Sequence, residues 1–446
     1  MDDVAEIPVD PARAVVHEQG WQSWSPSTGY ALGEQPHRPN AEKRRIGCYR
    51  PETAPGADVF WGEGLLAVDP GDGGPVTVVA AVEPTGTVPS IRARAVDGRV
   101  VVAADGPVRV VTDAGAGGVP GALARWADEV AGGLGLPAPR PAPTIWCSWY
   151  QYFTKVTEAD VDRNLGLLDT LELPVDVVQV DDGYQAEIGD WLIPSGRFSD
   201  TPGLFKRIAD RGRRAGIWTA PFLAGARSRM AADHPDWLVR DTDGTPVSAG
   251  NNWDQDLYAL DTTHPGVRDY LRSVFSTFAG WGIDFHKIDF VYAAAIPGVR
   301  HEDVTGIEAY RSGVRLIREA IGAQAYLLGC GAPQLPSIGL VDAMRVSPDI
   351  APSHEPESGD VSQPSQRGAA LNGVSRAFQH GRFWVNDPDC VVARPGVERR
   401  EEWAAHVAEF GGLRGSSDGL DQLDDWGLKT TRRLLTDPVP RHFVAS

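Results

Sequence analysis

The sequence predicts a (β/α)8 TIM barrel over residues 139–446, preceded by a shortened, β-sandwich-like antiparallel N-terminal domain and linker over residues 1–138. Two observations carry this. Beyond Thr144, eight short β-rich runs occur, most of them followed by helical patterns of ten or more residues, which is the strand count of a closed parallel barrel. Before that point the chain is rich in Val, Gly and Pro, and short apolar runs are broken by turn residues. A doubly wound open sheet is the alternative, but it commonly carries a nucleotide loop. Gly115-Ala116-Gly117-Gly118-Val119-Pro120 departs from the GxGxxG spelling and lies in the wrong half.

In chain order, residues 76–82, 100–102 and 108–111 read as N-terminal strands. A short amphipathic helix around 123–130 leads into a Gly/Pro stretch, 132–143, that reads as a domain boundary. The barrel strands are read at 145–149, 175–180, 216–220, 285–290, 326–329, 343–347, 383–386 and 407–412. Helices are expected at 159–171, 204–214, 267–279 and 308–321, with a last one over 420–435.

Composition narrows the function classes. The 446 residues are 42% hydrophobic and 23% charged, which is globular, and the formal net charge is −18. That balance disfavours nucleic acid and anionic membranes as partners, because both need a basic face. No apolar run approaches a membrane span, and the acidic start, Met1-Asp2-Asp3-Val4-Ala5-Glu6, lacks the order of a signal peptide. Cys48, Cys147, Cys330 and Cys390 lie far apart without a CxxC, so neither a zinc site nor a disulfide framework is expected. The expectation is a soluble cytoplasmic protein with no cofactor.

A barrel builds its active site at the C-terminal ends of its strands. Five of the predicted strands end in polar clusters: Asp181-Asp182-Gly183-Tyr184, Lys287-Ile288-Asp289, Arg345 to Asp349, Asn386-Asp387-Pro388-Asp389, and Ser416-Ser417-Asp418. Each alone reads as a turn. Five at equivalent positions read as an acidic, water-accessible mouth. Lys287 and Asp289 are two apart on a strand, so both should face inward, with His286, Ile288 and Phe290 facing the helices. The chain has only five lysines, which makes one at a buried strand position informative. A cation beside a buried carboxylate favours its ionised form, as a nucleophile requires. Arg345 beside Asp349 makes a second pair, and two opposed carboxylates are the minimum equipment for glycoside hydrolysis. Trp149, Tyr150, Tyr184, Trp191 and Trp218 lie where aromatic rings suit stacking on a sugar. The GxSxG spelling at Gly415-Ser416-Ser417-Asp418-Gly419 is followed by a single histidine, His442, in a tail, and Asp241-Thr242-Asp243-Gly244 reads as a turn rather than a calcium loop.

At this point an ordered set of motifs resembles the α-galactosidases (melibiases) of glycoside hydrolase family 36. They are Trp146-Cys147-Ser148-Trp149-Tyr150, Asp181 to Tyr184 with Gly189-Asp190-Trp191, Gly216-Ile217-Trp218-Thr219-Ala220-Pro221-Phe222, His234-Pro235-Asp236-Trp237, Lys287-Ile288-Asp289, Arg345 to Asp349, and Trp384-Val385-Asn386-Asp387-Pro388-Asp389-Cys390. Gly20-Trp21-Gln22-Ser23-Trp24-Ser25 is similar to the N-terminal domain of some members. The resemblance implies a retaining exo-glycosidase for terminal α-galactosides, with Asp289 as nucleophile and Asp349 as general acid/base. It implies that Asp181, Asp182 and Lys287 bind galactose hydroxyls, that Arg345 supports the pocket, and that Trp218, Trp191 and Cys330 line it. Typical members also carry larger β domains at both ends. Two stretches depart from the family pattern, Phe290-Val291-Tyr292 after the nucleophile and Cys330-Gly331-Ala332-Pro333 after the fifth strand. Both lie at the pocket wall, where sugar choice is made. An α-N-acetylgalactosaminidase, a raffinose-synthase-like transglycosylase and a non-catalytic carbohydrate-binding barrel are the competing expectations. An α-galactoside is the expected partner, and a homo-oligomer is left open.

Overall fold

The computed structural model describes residues 1–39, 47–49 and 59–443. Eight parallel strands form one sheet in ring order: Ile145–Cys147, Val177–Val180, Arg214–Thr219, Ile283–Ile288, Tyr326–Gly329, Ala343–Arg345, Val385–Asp387 and Gly415–Ser416. The last strand pairs with the first, Ile145 against Gly415. The seventh and eighth meet just beyond the seventh strand, where Val391 bridges Ser416 and its N–H donates to the Gly415 carbonyl at 2.8 Å. This is the predicted TIM-barrel architecture. Its strands are buried on both faces because helices cover the outside and layered side chains fill the inside; their polar members, such as Gln179, Lys287, Arg345 and Asp387, are buried with them.

Several helices form where the sequence provides both a cap and an apolar stripe. Helix Gly306–Ile321 starts with a reciprocal capping box between Thr305 and Glu308, and it buries Ile307, Tyr310, Val314, Ile317 and Ile321, one face at three- and four-residue spacing. Helix Glu158–Thr170 has the same device in Thr157 and Asp160. Among the described residues, no helix is long and apolar enough to cross a membrane.

One strand differs from the expectation. Residues 407–412, read as the eighth strand, fall mainly in helix Arg400–Phe410, and the strand is Gly415–Ser416. The buried set Trp403, Ala404, Val407 and Phe410 has helical spacing, and its last members alone pass for a β run. Gly415 suits the tight strand position, since a Cβ there would lie 2.3 Å from Ile145 Cγ1. The first strand also stops early, at Cys147, and Trp149–Tyr152 forms a helical turn.

Among the described residues, the N-terminal region is two antiparallel sheets, of four and five strands, with a buried core that includes Val16, Leu66, Val79, Ile91 and Val102. Its contact with the barrel is specific. The loop Trp21–Ser25 reaches over the barrel, where Gln22 bridges Pro333 and the Trp21 carbonyl accepts from the Gln334 N–H at 2.9 Å. The fully buried Arg376 guanidinium clamps this loop by donating to the carbonyls of Gln22, Ser23, Ser25 and Val346. Among the described residues no carboxylate pairs with it, and burial pulls Arg376 down to about 9. Between the third and fourth barrel strands the chain adds a three-stranded antiparallel sheet, Leu223–Gly225, Ser248–Asn252 and Gln255–Ala259. The two-residue tip of its hairpin, Trp253-Asp254, overhangs the barrel mouth.

Candidate active site

Strand ends bring the polar clusters together. A cavity of about 440 Å³ opens there, lined by Asp181, Asp182, Lys287, Asp289 and Asp349 among the charged groups. Its walls are aromatic: Trp24 from the N-terminal loop, Trp149, Phe153, Trp218, Trp253 and Phe290. A second cavity of about 270 Å³ adjoins it and shares Trp24, Asn251, Asn252, Phe290 and Asp349.

Asp289 stands one residue past the fourth strand, where its N–H still pairs with the Thr219 carbonyl of the third at 2.7 Å. Its carboxylate accepts from Trp218 Nε1 at 3.0 Å and from the Phe290 N–H at 2.8 Å, and Lys287 Nζ lies 4.0 Å away. Burial raises the Asp289 pKa against the pull of Lys287, with Asp349 adding to the rise. Lys287 bonds more closely to Asp181, at 3.0 Å. Burial opposes the ammonium charge, but Asp181 and Asp289 overcome it and hold Lys287 protonated well above its usual range. Asp181 also accepts from Gln179 Nε2 and its neighbour's N–H, at 2.7 and 2.9 Å.

Asp182 is held at both oxygens, by Gln185 Nε2 at 2.6 Å and by Trp253 Nε1 at 2.7 Å, and burial pushes it up to about 6. Trp253 and Asp254 both sit at φ +53°, the left-handed pair that a two-residue hairpin turn requires. Glycine or asparagine usually takes such positions, and the strain of a tryptophan there is the kind that persists at functional sites.

Asp349 lies in the loop after the sixth strand and accepts from Arg345 at 3.0 Å. Arg345 also binds Asp387 at 3.2 Å and Asp389 at 2.9 Å.

The predicted inward pair, Lys287 and Asp289, faces the cavity, and Asp181, Asp182, Trp218 and Asp349 join it. Two residues expected to line the pocket stand behind the wall instead, together with Arg345, which was expected to support it. Trp191 is buried edge-on against Trp218, with ring centroids 5.8 Å apart, and it supports that ring rather than presenting its own face. Cys330 is fully buried, its N–H donates to the Ile288 carbonyl, and it does not line the cavity. Arg345 is likewise buried beneath Asp349. Phe290, expected to face the helices, takes φ +52° at the strand end and turns its ring into the cavity against Trp24 and Trp253. His286 does face outward, against Phe275. Gly331 permits this arrangement, since its φ is +50° and a Cβ would lie 2.9 Å from both the Phe290 nitrogen and Trp24 Cη2. The sequence reading missed Trp253; the signal that could have found it is the run Asn251-Asn252-Trp253-Asp254, a turn pattern inside a β-rich stretch. Among the described residues no His/Cys/Asp/Glu group is arranged to hold a metal ion.

A barrel with carboxylates gathered at its mouth and walled by indoles defines a TIM-barrel glycosidase. The model for the "Glycosyl hydrolases family 31 TIM-barrel domain" matches residues 137–315. An α-galactosidase structure from Thermus thermophilus, in complex with p-nitrophenyl α-D-galactopyranoside, superposes with a TM-score of 0.81 at 32% identity. That match covers 98% of this chain and 89% of the other. This chain therefore belongs to the α-galactosidase-like glycoside hydrolases. A GH36 α-galactosidase, AgaA from Geobacillus stearothermophilus, shares the fold at a TM-score of 0.61 and 14% identity, over 97% of this chain and 61% of that one. Among curated relatives, an "A type blood alpha-D-galactosamine galactosaminidase" of Flavonifractor plautii is 30% identical over 176 residues, 36% of this chain. That alignment spans 16% of the relative's length, and the one with curated AgaA spans 20%.

Proposed function

We propose that this protein is a retaining exo-glycosidase of family 36 that hydrolyses terminal α-galactosidic bonds by double displacement. The observation that carries the reading is that Asp289 and Asp349 line one cavity in contrasting surroundings. Asp289 attacks the anomeric carbon as the glycosidic bond breaks, and Asp349 gives its proton to the departing oxygen. Asp349 then takes a proton from the water that cleaves the glycosyl-enzyme. Galactose leaves with its configuration retained, and both aspartates return to their starting states. This needs the carboxyl groups roughly 5–5.5 Å apart. Lys287, Asp181 and Asp182 hold the sugar hydroxyls, and Trp218 packs on the ring. The neighbouring cavity takes the remainder of the oligosaccharide. The Thermus α-galactosidase, whose structures hold p-nitrophenyl α-galactopyranoside and stachyose, supports this substrate class.

A second reading, an enzyme for a galactoside carrying an amino or acetamido group at C2, is favoured by the Flavonifractor relative, whose name gives α-D-galactosamine as its sugar. Hydrolysis of p-nitrophenyl α-galactoside, α-N-acetylgalactosaminide, α-glucoside and β-arabinopyranoside separates the two. Selective α-galactoside turnover is expected, with α-galactose the first anomer seen by NMR. Release of β-galactose first would sink the retaining mechanism, and turnover of the acetamido sugar alone would replace the substrate. Silence across the panel would sink the hydrolase reading and favour a transglycosylase or a sugar-binding barrel.

A further inference from the structure

Behind Asp349, away from the cavity, lies a network that the double displacement does not itself use. One guanidinium, Arg345, is shared by three carboxylates: Asp349 through Nη1, Asp387 through Nε and Asp389 through Nη2. The Asp387 and Asp389 side chains are almost wholly buried. Asp389 is the hub. Its Oδ1 accepts from Arg345 and from the Cys390 N–H at 2.7 Å. Its Oδ2 accepts from the Tyr150 hydroxyl in a short bond and from the Ile350 N–H at 2.9 Å. Ile350 directly follows Asp349, so Asp389 grips both the charge partner of Asp349 and its adjoining backbone. Asp389 holds this place at φ +94°, a strained backbone for a residue with a side chain.

A cation beside a carboxyl group favours its ionised form, and so works against a group that must keep a proton to donate. An undivided guanidinium at 3.0 Å would have that effect on Asp349. We propose that Asp389, held by Tyr150, is a positioning residue for Asp349: it divides the Arg345 charge and thereby lets Asp349 serve as proton donor. The proposal rests on the acid/base reading of Asp349. The charged and titratable groups facing Asp349 come from separate strand ends: Asp289 from the fourth, Cys330 from the fifth, Arg345 from the sixth, Asp389 from the seventh and Tyr150 from the first. Asp389 in turn faces Arg345, Asp349, Asp387, Tyr150 and Cys390. Burial pushes the Asp389 carboxyl above the usual carboxylate range, against the pull of Arg345.

The test is kcat/KM against pH for melibiose, whose leaving group needs a proton, and for p-nitrophenyl α-galactoside, whose leaving group does not. In Asp389→Asn the guanidinium charge is shared by one carboxylate fewer. The alkaline limb on melibiose should move to lower pH by about one unit, with a smaller change on the aryl substrate. Tyr150→Phe should move it the same way by less, because Asp389 loses a donor to its ionised form, and Asp389→Glu should restore part of the shift. A folded Asp389→Asn enzyme whose limb stays in place, or moves to higher pH, overturns the proposal. Should Asp389→Asn not fold, an unmoved limb in Tyr150→Phe overturns it equally. Asp349→Ala run in parallel separates the two readings. Equal losses on both substrates would remove the acid/base role, and this proposal with it. A loss confined to melibiose, with unmoved limbs in the network variants, would remove only this proposal.

Discussion

Asp289 and Asp349 line one cavity under opposite conditions. The Asp289 side chain is 8% exposed, braced by Trp218, the Phe290 N–H and Lys287, and its backbone is still tied to the third barrel strand. The Asp349 side chain is 32% exposed, and it sits in a loop against a guanidinium that two further carboxylates share. The contrast matches what the two proposed roles demand. A nucleophile must be aimed and ionised on every turnover, which suits rigid donors and a nearby ammonium. A group that gives and retakes a proton must reach water between steps, which suits partial exposure and a divided counter-charge.

The largest expected effect removes the braced side. Asp289→Asn should lower kcat by about 10⁴-fold or more for every leaving group, because nothing replaces the covalent step. Substantial steady turnover by this variant, free of wild-type contamination, would dissolve the contrast. On the exposed side, Asp349→Ala should cost roughly 10²–10⁴-fold on melibiose and much less on an activated aryl galactoside. Added azide should then yield α-galactosyl azide with the aryl substrate, detected by mass spectrometry and NMR. Equal losses on both substrates would make the two carboxylates alike.

Lys287→Met sharpens the comparison through pH. Lys287 favours the ionised form of Asp289 while burial raises its pKa, so losing the ammonium lets Asp289 hold its proton to higher pH. The acid limb of kcat/KM should therefore move to higher pH and the alkaline limb should stay. The same change leaves Asp181 unpaired and buried, and denaturant unfolding should report a loss of about 3–5 kcal/mol. The smallest effect is expected for Trp218→Phe, which keeps a ring but deletes the N–H to Asp289. A charge-assisted hydrogen bond is worth about 1.5–3 kcal/mol, so kcat should fall roughly 10- to 100-fold with the melting temperature little changed.

Much of this was legible in the chain because both the barrel and its mouth follow local rules. Lys287 and Asp289 could be placed together from a period of two, and Asp181-Asp182 and Asp349 from their positions at strand ends. Helices Glu158–Thr170, Pro265–Gly280 and Gly306–Ile321 were legible from their stripes, whereas Gln366–Ser375 and Arg400–Phe410 were not read. The eighth strand was not legible, since two residues, Gly415–Ser416, carry no periodicity, while the helix before them ends in a β-like run. Trp191 was expected at the pocket because it lies near a strand end in the sequence, and Cys330 because the family resemblance implied it. Which side of a wall a ring occupies depends on its neighbours, and Trp218 stands in front of Trp191.

The sequence by itself therefore determined the class: seven β-rich runs that are barrel strands, the helices between them, acidic strand ends, and one lysine beside an inward aspartate. These depend on spacing within short segments, where side-chain direction follows from backbone geometry. Only the tertiary structure decided the walls and the wiring. Trp24 arrives from the N-terminal loop clamped by Arg376, and Trp253 from an inserted hairpin. Arg345 is divided among three carboxylates from two strand ends. Residues hundreds of positions apart meet because burial leaves a guanidinium or a carboxylate no water to bind. Each must then find its partner wherever the closed barrel brings one.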